Sequence, residues 1–371
     1  MNILVVGNGF DLAHNLPTSY KDFLHFTDMF IEFKSQRQVL GNQVPVKNED
    51  KQLITYLIEL FRKANTDVKA QKLINEIEEL IIDNKWLEHF KYTNIAQGWI
   101  DFENEISTII KTMDMLSIQS LSEFRNSGNP VNLTPYQMIV LRPFIGQLTS
   151  IIGLEKISPL KNVLLNDLNR LTRCLEIYLC DYVEKLSINK KLSDIEELNI
   201  DAVLSFNYTD TYRKNYIDSS ATIVCDFIHG KANIENSKET CNMIIGIDEY
   251  LEGNDRETHT EYVQFKKFFQ RIYKSTGNKY IDWLTEAKAR PEERYFPEET
   301  NIYIYGHSLD ATDKDILATL IMAENTKTTI FYHNQEALGK QIINLLKVIN
   351  EEELIRRTGL KKIIFKKTKD I

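Results

Sequence analysis

The chain opens on an apolar run, Ile3-Leu4-Val5-Val6, that breaks at once into Gly7-Asn8-Gly9-Phe10-Asp11. A strand ending in a Gly-x-Gly turn is a strong local constraint. Glycine tolerates positive φ and carries no Cβ, so successive N–H groups after the strand can point at one anion. The opening turn is therefore the first place to look for a phosphate or ribose site.

Further strand patterns cover Ala202 to Phe206, Thr222 to Ile228, Met243 to Ile247, Asn301 to Tyr305 and Thr328 to Tyr332. Lys361 to Lys369 reads as an edge strand, because its five lysines interleave with Ile363, Ile364 and Phe365, a pattern that guards a sheet edge. Helical periodicity covers residues 20–35, Gln52 to Arg62, Val68 to Ile82, Trp99 to Met113, Pro135 to Ile152 and Pro159 to Leu186. In the last of these Leu164, Leu165, Leu168, Leu171, Leu175 and Leu179 form a core face. Gly41 to Lys51 and Gly253 to His259 read as loops. The pattern predicts an α/β fold, a Rossmann-like, mainly parallel sheet with a large helical insertion. The expected division is a nucleotide-binding core from residues 1–35 and 195–371 and a mainly helical insertion at 36–194. Ligands of such sheets bind beyond the carboxyl ends of the strands.

Charge and cysteine usage narrow the function. With 371 residues, 43% of them hydrophobic, the chain can bury a large core. Lys and Arg total 45 against 53 Asp and Glu, a net charge of −8, and this field does not favour a polyanionic partner. Cys174, Cys180, Cys225 and Cys241 show no C-x-x-C spacing, so no metal site is expected and a reduced cytoplasmic setting is the simplest. No basic leader with a long apolar stretch and no run of about 18 apolar residues is present, so neither secretion nor membrane insertion is expected.

The opening turn departs from a dinucleotide fingerprint. Leu12 stands where the third glycine of G-x-G-x-x-G belongs, and no second strand ending in Asp or Glu follows at the ribose-binding distance. Hydride-transfer chemistry is disfavoured. Three more strand ends carry polar groups. Asn207 follows the strand ending at Phe206, where its amide holds a sugar hydroxyl or water, or else Asn207 or Thr209 caps a short helix through Tyr212. His229 follows Asp226-Phe227-Ile228 and is either a proton carrier or a structural imidazole. Gly306-His307-Ser308 follows the strand at Tyr305 and lines a second anion or ribose site, or Ser308, Asp310 or Thr312 caps the next helix. In Trp99-Ile100-Asp101-Phe102-Glu103, the acids either start an amphipathic helix or place Glu103 beside a core tryptophan.

The segments Gly7-Asn8-Gly9-Phe10-Asp11-Leu12, Leu16-Pro17-Thr18-Ser19-Tyr20 and Asp22-Phe23 resemble the AbiH family of bacterial phage-defence proteins. Trp99-Ile100-Asp101-Phe102-Glu103 and Gly306-His307-Ser308-Leu309 with Asp313 resemble it too. More distantly, the order Gly-x-Gly, Asn-Tyr, His-Gly, Gly-x-Ser is similar to the sirtuin-like fold and its NAD-cleaving immune effectors. That resemblance implies abortive infection by cleavage of NAD, with Asn207 and His229 at the nicotinamide ribose. It also implies a binding surface from Gly7, Asn8, Gly9, Phe10, Thr18, Ser19, Tyr20, Gly306, His307 and Ser308. Asn8 and Phe10 replace the small residues usual in the sirtuin turn, and the four-cysteine zinc module is lacking, which disfavours protein deacylation.

Cleavage of an N-glycosidic bond passes through an oxocarbenium-like anomeric centre, so an enzyme must position ribose and water and exclude solvent. In this scheme Asn207 bonds the ribose or the attacking water, and His229 is the general base or orients a ribose hydroxyl. Asp11 orients the sugar or retains water. NAD is the substrate and no cofactor is needed, since the nicotinamide nitrogen is formally cationic and leaves without protonation. The alternatives are a non-catalytic nucleotide-binding sensor and a nuclease, the latter without a metal-carboxylate cluster or basic composition to support it. A phage-derived trigger, a partner protein and self-association through the apolar helix faces between 50 and 190 are further expectations.

Overall fold

The computed structural model describes residues 1–40, 51–97, 101–124, 131–145, 151–152, 154–188, 190–217, 223–251, 253, 255–286 and 299–369. The chain divides into two compact units, one of residues 1–18, 183–232 and 271–371 and one of residues 19–182 and 233–270. Against the expected limits at 35 and 194, residues 19–35 and 233–270 go with the helical unit and 183–194 with the sheet unit.

The first unit is built on six strands: β1 (Asn2–Val6), β2 (Ala202–Ser205), β3 (Val224–Phe227), β4 (Thr300–Tyr305), β5 (Thr326–Tyr332) and β6 (Ile363–Lys367). They lie in the order β3-β2-β1-β4-β5-β6 and every pairing is parallel. Ile3 faces Ala202 on one side and Ile302 on the other. The lysine-bearing β6 is an edge strand, as its sequence predicts.

Alternation along β1 explains why its run is continuously apolar: both faces are covered. Ile3 and Val5 join Leu204, Ile302, Ile304 and Ile330 under the helices Lys314–Met322 and Gln335–Ile349. Leu4 and Val6 join Val203, Tyr305 and Phe331 on the opposite face with Phe10, Ile195 and Tyr212. Each such fully buried side chain contributes about 1.5–3 kcal/mol. The strand order reverses between β1 and β4, and sheets of this kind take ligands beyond the carboxyl ends of the strands at such a position.

The second unit is mainly helical, with Tyr20–Leu40, Lys51–Lys63, Val68–Ile81, Lys85–Gln97, Phe102–Phe124, Pro135–Ile145 and Leu154–Ile177 as its long helices. Leu164, Leu168, Leu171, Leu175 and Leu179 are buried, while Leu165 is half-buried. Three expectations fail here. Ile151–Ile152, at the end of the stretch expected to be helical from Pro135, pairs antiparallel with Val131–Asn132, and the helix itself is Pro135–Ile145. Asp255–Thr258, within the second expected loop, is a short helix. Met243 to Ile247 is not a strand; its only β pairing among the described residues is a bridge from Ile247 to Lys266. The run is apolar because Met243, Ile244, Ile245 and Ile247 are buried, and Gln270 Nε2 donates to the Ile245 carbonyl at 3.0 Å in place of a sheet neighbour. Gly41 to Asp50 of the first expected loop, Gly98 to Ile100, Thr222, and Asn254 of the second expected loop lie outside the described residues.

Candidate functional site

The turn after β1 uses its glycines for close approach. Gly7 N–H donates to the Tyr305 carbonyl at 3.1 Å, Gly9 N–H to the Gly306 carbonyl at 2.8 Å, and Phe10 N–H to the Gly7 carbonyl at 2.8 Å. A Cβ on Gly9 would stand 2.8 Å from Gly306 Cα, and one on Gly306 would stand 2.2 Å from Phe10 N. Gly306 also has φ of 68°, in the left-handed region open to glycine. The turns after β1 and β4 are thus fitted backbone to backbone, with two N–H groups of the first turn spent in that fit and a third, that of Phe10, closing the turn on itself. Asn8 and Ser308 have exposed side chains, and the Ser308 carbonyl accepts from Asn344 Nδ2 at 2.9 Å.

Asn207 reaches into the same place from β2. Its Nδ2 donates to the Gly7 carbonyl at 3.0 Å, and its N–H donates to Ser205 Oγ at 3.1 Å. It caps no helix: the helix Thr211–Tyr216 starts after Asp210 and has no side-chain cap. Thr209 does not cap it either, because its hydroxyl donates to Asp11 Oδ2 at 2.5 Å. Asp11 is 1% exposed, and its Oδ1 is buried with no hydrogen-bond partner. Burial pushes this carboxyl up to about 6, against the lowering effect of the Thr209 hydrogen bond and the nearby Thr211 and Asn207 side chains. Beside it lies a cavity of ≈ 10 Å³ lined by Asp11, Asn207, Thr209 and Thr211, the size of one water. Thr209 and Thr211 also border a second cavity of ≈ 100 Å³ with Glu184, Lys214 and Leu16 in its wall.

The turns after β3 and β4 bring two imidazoles to one carboxylate. His229 Nε2 lies 3.0 Å from Asp313 Oδ1, and His307 Nε2 lies 3.6 Å from Asp313 Oδ2. All three side chains are buried. Phe206, the residue before Asn207, sets its ring edge-on to both, with centroids 5.3 Å from His229 and 4.3 Å from His307. Asp310 caps the turn Ala311–Asp313 by accepting from Thr312 N–H at 3.0 Å, so this acid is structural and its neighbour Asp313 faces the site.

The remaining candidates sit elsewhere. Thr18 belongs to the sheet unit and its N–H donates to the Leu16 carbonyl at 2.9 Å. Ser19 and Tyr20 belong to the helical unit. Ser19 accepts the Asp22 N–H at 3.2 Å while Asp22 Oδ2 accepts from both the Ser19 N–H and hydroxyl, a reciprocal cap on Tyr20–Leu40. Tyr20 stacks on Phe102 at 4.0 Å, and Phe102 stacks in turn on Phe90 at 4.0 Å. Asp101 caps Phe102–Phe124 through the N–H groups of Glu103 and Asn104, and Glu103 pairs with the buried Lys267 at 2.8 Å. These two motifs are the joinery of the helical unit; Trp99 itself lies outside the described residues.

Sequence reasoning missed His14. Its Nδ1 donates to the Phe10 carbonyl at 2.7 Å and its Nε2 accepts from Tyr216 Oη at 2.8 Å, while burial holds its pKa below the ordinary 6.5. The only signal was its position one helical turn after Phe10. Among the described residues no group of three or more His, Cys, Asp or Glu is arranged to hold a metal ion, and no helix is long and apolar enough to cross a membrane.

Residues 3–333 match the model of a family described as bacteriophage abortive infection AbiH. Comparison with curated proteins and with solved structures gives no match.

Proposed function

Because the chain belongs to the AbiH family of bacteriophage abortive infection proteins, we propose that its effector activity is hydrolysis of the N-glycosidic bond of NAD to nicotinamide and ADP-ribose. The observation that supports this reading is that polar side chains follow the ends of four adjacent parallel strands, on either side of the place where the strand order reverses. Asp11 and Asn207 lie around a water-sized cavity, and His229 is paired with Asp313.

The chemistry asks little of the residues. The C1′–N bond breaks with its electron pair going to the nicotinamide nitrogen, which becomes neutral. Water forms the new C1′–O bond and gives its proton to His229. Asn207, tied to the Gly7 carbonyl, keeps the turn and the ribose end of the site in register. Asp11, with one buried oxygen unpartnered and a pKa near neutrality, accepts from a ribose hydroxyl or from the water. A carboxylate opposite the forming cation also stabilises the transition state.

The test is incubation of purified full-length protein with NAD while nicotinamide is followed by chromatography, with and without lysate from phage-infected cells. Release that Asn207→Ala and His229→Ala abolish supports the reading. NAD that co-purifies or raises the melting temperature and stays intact in both conditions overturns it in favour of a sensor. Metal-dependent loss of nucleic acid, blocked by EDTA, overturns it in favour of a nuclease.

A further inference from the structure

We propose that Thr209 and Thr211 form a hydroxyl relay that carries protons between Asp11 and a polar cavity walled by Glu184, so that a proton taken up by Asp11 in the reaction leaves by this route. The inference rests on the reading of Asp11 as a group that accepts a proton in the site.

The relay is a run of hydrogen bonds within the sheet unit. Thr211 Oγ1 donates to Thr209 Oγ1 at 3.2 Å, and Thr209 Oγ1 donates to Asp11 Oδ2 at 2.5 Å. All three side chains are buried. Both threonines line the ≈ 10 Å³ cavity that Asp11 also lines and the ≈ 100 Å³ cavity that Asp11 does not reach, so they stand between the two. The larger cavity has room for several waters and polar walls to hold them. Its charged groups are Glu184, Asp210 and Lys214. Asp210 is engaged by Lys231 at 2.6 Å and by Arg213 at 3.6 Å. Glu184 Oε2 pairs with Lys214 Nζ at 2.7 Å, while Glu184 Oε1 is buried with no hydrogen-bond partner, an acceptor that a water in the cavity would satisfy. Lys214 is exposed, so this ion pair marks the side of the cavity that meets solvent.

Burial first, with the charge of Glu184 adding to it, raises Asp11 to about 6, where a carboxyl gains and loses its proton near neutral pH. A hydroxyl both donates and accepts, which is what a relay requires. Inward, a proton on Glu184 passes to water; each threonine oxygen takes one proton and gives up its own, and Asp11 Oδ2 receives the last. Outward, the steps reverse, and neither threonine changes charge. The second oxygen, Oδ1, is left for the sugar or the attacking water.

The test follows the proton without NAD. The C=O stretch of protonated Asp11, assigned by its loss in Asp11→Asn, is followed by time-resolved infrared spectroscopy after a jump from about pH 8 to about pH 5. Thr211→Val keeps the shape of the side chain and removes the hydroxyl, whereas Thr211→Ser keeps the hydroxyl. The protonation rate constant is expected to fall at least about 10-fold in Thr211→Val and to stay within about twofold of wild type in Thr211→Ser. Loss of a hydrogen bond alone would move the titration midpoint and leave that rate constant as it was. A Thr211→Val protein that protonates at the wild-type rate, or one slowed no more than Thr211→Ser, would overturn the relay. If Thr211→Val does not fold, Glu184→Gln decides: the relay predicts slowing of about threefold or more, and an unchanged rate overturns it. Should the wild type release no nicotinamide, the enzymatic reading fails while the protonation rate still judges the relay.

Discussion

At the scale of single residues, Asp11 is a buried carboxyl whose environment opposes its ionisation. Its carboxyl moves from 3.8 to about 6 on burial, so between those values the folded state binds more protons than the unfolded one. Its contribution to stability is therefore full at low pH and is lost as pH rises toward 6; above that, ionisation costs the fold on the order of 1–3 kcal/mol. Asp11→Asn, which keeps an acceptor for Thr209, is expected to stabilise the protein by that order at pH 7.5. It should remove this pH dependence in urea titrations and lower nicotinamide release at least about 100-fold. A destabilised Asp11→Asn protein with normal turnover would mark Asp11 as a structural group. His14 slopes the other way: its lowered pKa makes it stabilising above 6.5 and progressively less so as pH falls below that value. His14→Gln should therefore flatten the acid side of the same stability profile. The strand-end positions of Asn207 and His229 were legible because each follows an apolar strand. Asp313 was legible only as part of a motif, since a carboxylate six residues past a histidine has no spacing that distinguishes it from the neighbouring cap, Asp310.

At the scale of elements, the turns after β1 and β4 act as one piece. Glycine pattern alone suggests a cradle for phosphate, and the cradle is filled by Gly306 and its carbonyl. A sequence cannot separate these uses, because close approach of a backbone and close approach of a phosphate require the same missing Cβ. Gly306→Ala places a Cβ 2.2 Å from Phe10 N in a left-handed backbone, so a loss of about 3 kcal/mol or more is expected by chemical denaturation, with activity lost alongside. Ser19 offers the opposite contrast. As a helix cap its change to Ala should cost about 1 kcal/mol and leave the KM for NAD unchanged. A raised KM with unchanged stability would return Ser19 to the ligand. Most strands and helices were readable from apolar period, and Met243 to Ile247 was not, because burial by a helical neighbourhood and burial in a sheet leave the same apolar run.

At the scale of the whole molecule, the doubly covered parallel sheet and the helical unit follow from the distribution of strand and helix patterns along the chain. Their limits do not, since residues 233–270 join the helical unit from beyond β3 by tertiary contacts with no local signature. One is the buried Arg173, which donates to the carbonyls of Asn233 and Ile234 while pairing with Glu76 and Glu176. Membership in a phage abortive infection family sets the setting in which the site acts, and an NAD-cleaving effector must be silent until infection. The most direct measurement is the NAD and nicotinamide content of cells expressing the protein, followed after phage infection with wild type, Asn207→Ala and His229→Ala in parallel. NAD is expected to collapse and nicotinamide to rise only in infected cells with the wild-type chain, before lysis. Protection against phage with NAD undiminished, or with both variants as protective as the wild type, would contradict an NAD-cleaving role.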